Sequence, residues 1–354
     1  MQGQDRTALE ILRRQYFQLV DPAQLRWADI QTLKSPDVQA WIYSHFFNPD
    51  HVTYAPPERY QLRVLKQLVG KLEAAITDPE EDEISDDLMS TFSELVTASL
   101  PSESTSAQQK AYVTYSYPLQ GHDGDSTQTG SVTLLEARSV ISGAGTTGLR
   151  TWEAALLMGS FLVSGKGRNL LRGRRVLELG AGTGMLSILC AKYLEMSGIL
   201  ATDGDEAVVD AIKTNFFLNG LTGESKSGPI VRTAALKWGR HLTQHTFAED
   251  HGIELPDVIL GADVTYDRSV IPALVATMRQ FFEASPAIQV LISATIRNTD
   301  TFEAFLNACR RNQFDMELLD FALVPEPAQE GPFYPTSTPI PIWRITKAQP
   351  PEDR

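Results

Sequence analysis

The sequence predicts an α/β protein in which a doubly wound, mostly parallel sheet follows an N-terminal helical region. Three observations support this prediction. Apolar residues recur at helical spacing over residues 8–73. Strands alternate with helices from about residue 110 onward, as is typical of a parallel sheet. A glycine-rich loop directly follows one of the buried strands, which is where such sheets bind ligands.

Composition limits the classes of partner. The chain has 354 residues, 42% of them hydrophobic, so it can bury a full core. Its formal net charge of −13 repels polyanions on average, and we expect no direct contact with nucleic acid. We see no long apolar segment and no apolar signal core, so we expect no membrane span. Cys190 and Cys309 imply no disulfide framework, which favours a cytoplasmic location.

The N-terminal third is predicted to contain a helical domain and a linker. Residues 1–76 carry three stretches at helical spacing: ALEILRRQYFQLV, SPDVQAWIYSHFF with its Ser and Pro start, and PPERYQLRVLKQLVGKLEAAI. Residues 77–108 are acidic or polar and include one short helix, LMSTFSELVTASL. Residues 109–354 then form the α/β domain.

The α/β domain is predicted from a regular succession of elements. The lead-in hairpin is AYVTYSYPL with SVTLLEARSVI. The strands that follow are RRVLELG, GILATD, VRTAAL, DVILGAD and AIQVLISAT. The helices between and after them are TWEAALLMGSFLV, MLSILCAKYL, DEAVVDAIKTNFFLN, IPALVATMRQFF and TFEAFLNACRRN. MELLDFALV and IPIWRIT close the sheet, so the order is doubly wound.

The strongest chemical signal is VLELGAGTGMLSI, residues 176–188. Gly180, Gly182 and Gly184 sit where a strand turns into a helix, so the backbone there can approach a ligand closely. A dinucleotide fingerprint would require glycine where Met185 stands, which argues against NAD. Asp203 ends the next strand, at the distance expected for a carboxylate that binds ribose hydroxyls. The alternative is a helix cap, for which Asp205 is better placed.

These features resemble motif I and its neighbouring strand in the class I S-adenosylmethionine-dependent methyltransferases. The resemblance implies a Rossmann-like sheet of seven strands with a reversed last hairpin, and S-adenosylmethionine as cofactor. In that fold the glycine loop faces the methionine and ribose parts of the cofactor rather than a pyrophosphate.

Four further stretches resemble a narrower family: TTGLRTWEAALLMGSFL, LNGL, LKWG and GADVTYD. They are similar to the seven-strand protein-lysine methyltransferases that carry an Asp-x-x-Tyr motif after the fourth strand. TGLRTWEA, DVTYD and the leading helices resemble most the elongation factor 2 lysine methyltransferases, in particular their fungal branch. The resemblance is specific over residues 140–345 and looser over the first 75. It implies methylation of a lysine of elongation factor 2, a protein of translation. We expect the enzyme to be a monomer.

The resemblance also implies individual roles. Trp152 would border the methionine end of the cofactor, Trp238 the adenine, and Glu178 the amino group. On physical grounds alone, a Trp at the start of an amphipathic helix is more often a core residue. The cofactor-binding residues implied by the resemblance are Trp152, Glu178, Gly180, Ala181, Gly182, Gly184, Asp203, Trp238 and Ala262.

Asp263 and Tyr266 are the predicted catalytic residues. A lysine with a pKa near 10.4 must lose a proton before it accepts a methyl group, which at neutral pH costs on the order of 4 kcal/mol. The Asp263 carboxylate can bind and orient the ammonium, and Tyr266 can orient the amine. The alternative is that both residues cap the following helix, although Asp267 suits that role better. We expect no metal, because His241 and His245 lie in a predicted loop without a third ligand.

Two other classes of protein remain open. A small-molecule N- or O-methyltransferase would use the same glycines and Asp203 but needs no separate helical domain. A cofactor-binding scaffold without catalysis would not need Asp263. The Asn/Asp-Pro-Pro-Tyr/Phe sequence of amino-methylating nucleic-acid enzymes is absent after the fourth strand. We expect the helical domain to help recognise a large folded substrate.

Overall fold

A computed structural model describes residues 3–78, 82–119, 128–137, 147–221, 229–241 and 243–348. The chain divides into two compact units. The helical unit comprises residues 1–116, 133–145 and 330–333. The sheet unit comprises residues 117–132, 146–329 and 334–354.

The helical unit contains six α-helices within the part of the chain that is described. They are α1 (Gly3–Phe17), α2 (Ile30–Lys34), α3 (Pro36–Ile42), α4 (Glu58–Ala75), α5 (Asp86–Thr97) and α6 (Glu103–Gln108). The predicted apolar stripe of α4 faces the core, where Leu65, Leu68 and Leu72 are at most 1% exposed. Tyr16 of α1 is fully buried among them and donates a hydrogen bond to the carbonyl of Phe46, 3.2 Å away. The helices therefore bury a hydrophobic core of their own.

Helix α6 is a difference from the sequence prediction, which placed one short helix between residues 77 and 108. This helix was not predicted because PSESTSAQQ has little apolar content. It begins on a polar cap, in which the Ser102 hydroxyl accepts a hydrogen bond from the Thr105 N–H at 3.2 Å. In the acidic stretch, Asp82 accepts a hydrogen bond of 2.6 Å from the Lys34 ammonium. Residues 79–81 of that stretch lie outside the described residues.

Nine strands occur among the described residues. A two-stranded hairpin joins β1 (Lys110–Leu119) to β2 (Gln128–Ala137), and the rest of the predicted second strand lies outside the described residues. The seven-stranded sheet contains β3 (Arg175–Leu179), β4 (Gly198–Asp203), β5 (Ile230–Ala235), β6 (Val258–Ala262), β7 (Gln289–Ser293), β8 (Phe314–Leu318) and β9 (Ile342–Lys347).

The strand order in the large sheet is β5-β4-β3-β6-β7-β9-β8. Neighbours from β5 to β7 are parallel, whereas β9 is antiparallel to both β7 and β8. The predicted doubly wound sheet with a reversed last hairpin is thereby confirmed. Strands β3, β6 and β7 are buried along most of their lengths and mainly apolar, with Glu178 and Ser293 as buried polar exceptions, as expected for central strands covered on both faces.

Seven helices accompany the large sheet in the described residues. They are α7 (Glu153–Val163), α8 (Gly165–Leu171), α9 (Met185–Tyr193), α10 (Glu206–Leu218), α11 (Gln244–His251), α12 (Ile271–Ala284) and α13 (Thr299–Arg311). The order of the strands reverses between β3 and β6. The carboxyl ends of these central strands therefore form a topological switch point, where open α/β sheets bind ligands.

Three local predictions differ from the structure. HLTQH was predicted as a loop, but α11 begins at Gln244 behind a capping box of Thr243 and Thr246. Helix α8 was not predicted because GKGRNLL has little apolar content. Strand β8 ends at Leu318, earlier than MELLDFALV suggested. No helix in the described part of the chain is long and apolar enough to cross a membrane.

Candidate active site

A cavity of about 620 Å³ lies at the carboxyl ends of β3, β4 and β6, which is within the usual range of ligand pockets. The structure places all the predicted site residues on its lining except Gly184. Those residues are Trp152, Glu178, Gly180, Ala181, Gly182, Asp203, Trp238, Ala262, Asp263 and Tyr266. Residues separated by more than a hundred positions in the chain therefore share one cavity.

The glycine loop after β3 has three residues in the left-handed backbone region, with φ of 64° at Gly180, 56° at Gly182 and 79° at Gly184. A Cβ added at Gly180 would lie 2.9 Å from a methyl carbon of Val264 and 3.3 Å from the Trp238 ring. One added at Gly184 would lie 3.0 Å from Ile212 of α10. Gly184 therefore permits packing against α10, while Gly180 and Gly182 permit close packing of the loop against Val264 and Gly148 at the cavity wall.

Two carboxylates stand behind this loop. Glu178 is 3% exposed, and its Oε2 accepts hydrogen bonds from both the backbone N–H and the hydroxyl of Ser187. Burial raises the pKa of Glu178 to about 7, and the Ser187 hydrogen bonds partly oppose the rise. Burial also raises the pKa of Asp203, against hydrogen bonds from the backbone of Asp205 and Gly182. Asp205, as expected, caps α10 by accepting from the Ala207 N–H at 2.8 Å.

Buried polar side chains hold the glycine loop in place. Thr183 and Thr151 share a hydrogen bond of 2.7 Å between their hydroxyls. Asn215 of α10, only 1% exposed, donates from Nδ2 to the carbonyl of Thr183 at 2.9 Å. The sequence analysis gave Asn215 no role at the site. The sequence did carry one signal for this role, namely an Asn on the apolar face of a helix. A buried amide there needs a polar partner.

The two tryptophans occupy different walls of the cavity. Trp238 follows β5 and packs against the core beside Gly180. Trp152 precedes α7, and its indole N–H donates to the carbonyl of Thr147 at 3.3 Å. The guanidinium carbons of Arg150 and Arg297 lie 5.3 Å and 5.0 Å from the centroid of the Trp152 ring. Trp152 is therefore a lining residue in contact with two cations rather than a core residue.

Asp263 follows β6 in a left-handed conformation with φ of 52°, which is uncommon for a residue other than glycine. It is 8% exposed, and both oxygens accept from Thr295 beyond β7: Oδ1 from the N–H at 2.7 Å and Oδ2 from the hydroxyl at 2.9 Å. Burial raises the pKa of Asp263, while the Thr295 hydrogen bonds and the nearby Arg297 lower it. Strain at a buried polar residue of this kind is typical of functional sites.

The helix-cap alternative does not describe this stretch. Helix α12 has Val270 at its N-cap, and Asp263 bonds to Thr295 instead. Asp267, predicted as the better cap, accepts from the N–H of Ser269 in the turn before the helix, at 2.8 Å. Tyr266 lines the cavity but is 63% exposed, so its ring stands at the entrance. Ala262, the last residue of β6, contributes to the wall beside Asp263.

Arg297 is a lining residue that sequence reasoning missed. Its Nη2 donates to Glu153 of α7, and its Nη1 lies 3.8 Å from Oδ2 of Asp263. No local pattern in IRNTD indicates this role, because Glu153 and Asp263 are 144 and 34 positions away from Arg297 in the chain. In the described part of the chain, no group of three or more His, Cys, Asp or Glu side chains is placed to hold a metal ion.

A parallel sheet with a reversed final hairpin, a glycine loop after its first strand and an acid at the end of the second define the class I methyltransferases.

A sequence profile of the lysine methyltransferase family matches residues 138–312. The protein-lysine N-methyltransferase EFM3 of Chaetomium thermophilum is 46% identical, over 94% of this chain and 96% of its own. EFM3 of Saccharomyces cerevisiae is 33% identical over 61% and 66%, and human EEF2KMT is 30% identical over 81% and 79%. The chain belongs to this family of protein-lysine N-methyltransferases. Its methyl donor is S-adenosylmethionine.

Proposed function

We propose that this methyltransferase modifies a lysine of elongation factor 2 in the cytoplasm, acting as a monomer with Asp263 and Tyr266 as its catalytic residues. The observation that carries the proposal is a buried carboxylate, Asp263, on the lining of a cavity whose entrance bears the exposed Tyr266. Such an arrangement suits a long cationic side chain that enters from solvent. The human relative, named EEF2KMT, supports elongation factor 2 as the target.

The residues around the cavity fit S-adenosylmethionine. Its ammonium and sulfonium groups suit a wall that carries the Glu178 and Asp203 carboxylates, and its ribose hydroxyls suit Asp203. Gly180 and Gly182 let the backbone line the cavity in a left-handed conformation, packed too closely against Val264 and Gly148 for a side chain. We assign the amino group to Glu178, the ribose to Asp203, the adenine to Trp238 and the methionine end to Trp152. The backbone of Gly180, Ala181, Gly182 and Ala262 completes the wall, and Gly184 holds the loop against α10.

When bound, the cofactor supplies a methyl group on a positively charged sulfur. The protein must then deliver a neutral amine in line with that methyl and exclude water. Asp263 binds the incoming lysine ammonium and fixes its direction, because Thr295 holds both carboxylate oxygens in place. Tyr266 restricts how the amine turns. Once the lysine has given its proton to water, its lone pair is free to attack.

The target is tested with elongation factor 2 purified from cells that lack the enzyme. It is incubated with the methyltransferase and labelled S-adenosylmethionine, and the product is mapped by mass spectrometry. We expect label on a single lysine of elongation factor 2. Label on another protein of the lysate would retain the lysine activity and reject the target. Label confined to small molecules would favour a small-molecule methyltransferase instead.

We further propose that residues 1–76 form a helical domain for substrate recognition, residues 77–108 a linker, and residues 109–354 the methyltransferase domain. Within the helical unit, Gln18 accepts a hydrogen bond of 2.8 Å from the N–H of Phe333, and Arg14 donates to the carbonyl of Glu330 at 3.0 Å. Removing residues 1–75 should impair methylation of protein far more than cofactor binding. Gln18→Ala, which removes only the contact with Phe333, serves as the comparison. Equal loss of methylation and of cofactor binding would mean that the helices only stabilise the fold and do not recognise the substrate.

A further inference from the structure

The guanidinium of Arg297 lies between two carboxylates and over an aromatic ring. Its Nη2 donates a hydrogen bond to Oε2 of Glu153, the first residue of α7. Its other terminal nitrogen, Nη1, lies 3.8 Å from Oδ2 of Asp263. Its central carbon lies 5.0 Å from the centroid of the Trp152 ring. Glu153 therefore anchors the guanidinium, while the contact with Asp263 is an electrostatic one beyond hydrogen-bond distance.

This arrangement leaves Asp263 able to accept another donor. An ionised carboxylate offers about four lone-pair positions, and the N–H and hydroxyl of Thr295 use two of them. The 3.8 Å separation from Arg297 does not use a third as a hydrogen bond would. A lysine ammonium that enters the cavity can bind to this carboxylate while the guanidinium stays on Glu153.

A bare carboxylate would hinder the reaction that follows. It stabilises the ammonium form of the lysine and raises its pKa, although the reaction needs the neutral amine. Asp263 on the cavity lining and Glu153, which acts on it electrostatically, would together place two negative charges near the substrate. The guanidinium offsets one of them, and its charge lies within the range over which neighbouring charges shift a pKa strongly.

We propose that Arg297 is a positioning residue that acts through Asp263, so that the carboxylate binds the substrate lysine without holding it in its protonated form. The proposal rests on the role given to Asp263 under the proposed function. The lysine ammonium transfers its proton to water, and the lone pair that remains attacks the methyl group. Arg297 itself gains and loses no proton.

Other charged groups face the same cavity from the neighbouring elements. The cations are Arg150 before α7 and Lys237 after β5. The acids are Glu178 at β3, Asp203 at β4 and Asp205 beyond it, and the phenol is Tyr266. Arg150 shares the Trp152 ring with Arg297 but is not ion-paired to Asp263, so it allows a comparison between general positive charge and the specific pair.

The test measures how the initial rate of methylation depends on pH. The probe is the protein fraction of a lysate from cells that lack the enzyme, with tritiated S-adenosylmethionine, so that it depends on no assumed target. In Arg297→Gln we expect the rising limb of the profile to move up by about one pH unit. The rate near pH 7 then falls about tenfold and approaches the wild-type rate at high pH. Arg297→Lys keeps the charge and should restore most of the profile.

Three further variants sharpen the comparison. Glu153→Gln removes the second negative charge and should move the limb in the opposite direction, to lower pH. Arg150→Gln should shift the limb less than Arg297→Gln. Arg311→Gln, an exposed change at the end of α13, should leave the profile as in wild type. Calorimetry with S-adenosylhomocysteine checks that each variant is folded. If Arg297→Gln fails this check, Arg297→Lys and Glu153→Gln carry the decision.

Several outcomes would overturn the inference. A rate that falls by the same factor at every pH would make Arg297 purely structural. A Glu153→Gln profile that moves upward would contradict the charge argument. If Asp263→Asn is slow while Arg297→Gln keeps the wild-type profile, Arg297 is not a positioning residue but the proposed site stands. If Asp263→Asn methylates protein at the wild-type rate, both the proposed site and this inference fail.

Discussion

The carboxylate of Asp203 accepts a hydrogen bond from the backbone N–H of Gly182, with 3.2 Å between Oδ2 and the nitrogen. This bond joins the end of β4 to the glycine loop after β3, which are neighbours in the sheet. The same carboxylate also accepts from the N–H of Asp205 at 3.1 Å. Asp203 thus has a structural duty to the loop in addition to its proposed role at the ribose.

The two duties of Asp203 are separable by substitution. Asp203→Ala should weaken S-adenosylhomocysteine binding by roughly 1.5 to 3 kcal/mol, the usual contribution of hydrogen bonds to a charged group. Asp203→Asn can still accept from Gly182 but carries no charge, so it should lose less affinity. Calorimetry on both variants measures the difference. Unchanged affinity in both would reduce Asp203 to a loop support.

A branched side chain in the glycine loop should abolish cofactor binding. In Gly182→Val, the added Cβ would lie 3.0 Å from the carbonyl oxygen of Gly148, and the left-handed backbone there disfavours valine. Gly70→Ala in α4 is the matched control, because a Cβ at that position meets nothing within 4 Å. Circular dichroism and calorimetry should report a folded Gly182→Val protein without cofactor affinity. Binding at wild-type strength would remove the loop from the site.

Asp263→Asn should slow methylation on the order of a hundredfold, the scale of a lost positioning or proton-transfer group. Asparagine keeps the shape, tolerates the left-handed conformation and can still accept from Thr295, so the fold should be retained. Cofactor affinity should stay within a few fold. Single-turnover rates with saturating cofactor measure the effect.

Tyr266→Phe keeps the ring and removes the hydroxyl at the cavity entrance. It should reduce the rate less than Asp263→Asn does, because the ring still confines the lysine side chain. The hydroxyl limits how the amine turns between transfers, so we expect a changed distribution of mono-, di- and trimethylated product. Intact mass spectrometry over a time course gives that distribution. An unaltered rate and distribution would leave Tyr266 without a part in the reaction.

Glu178 should make the stability of the cofactor-free protein depend on pH. Its pKa is raised from 4.5 to about 7 in the folded chain, so its contribution is fully present below about pH 4.5 and is lost as pH rises through about 7. The loss is on the order of 3 kcal/mol. Glu178→Gln should therefore gain stability relative to wild type as pH rises from about 4.5 to about 7, and the difference should stay constant above that range. Parallel denaturation midpoints for the two proteins across that range would contradict the shift.

Sequence predicted the central strands well for a physical reason. Strands β3, β6 and β7 are covered on both faces, so each is a short and mainly apolar stretch in the sequence. Asp203 and Asp263 follow such runs, and parallel strands bring their carboxyl ends to one edge. The hydrogen bonds from Thr295 and Asn215, by contrast, connect residues 32 positions apart through the tertiary fold. No local periodicity encodes such partners.

The Thr295 hydrogen bonds also bear on how this site could be transplanted. Asp263 directly follows β6, but its side chain is oriented by Thr295, which lies beyond the adjacent strand β7. A designer who copies only the Asp-x-x-Tyr segment into another sheet would obtain a carboxylate whose rotamer is unspecified. The smallest segment that could be transferred therefore comprises the ends of two neighbouring strands in register, and it must include Thr295 as well as Asp263.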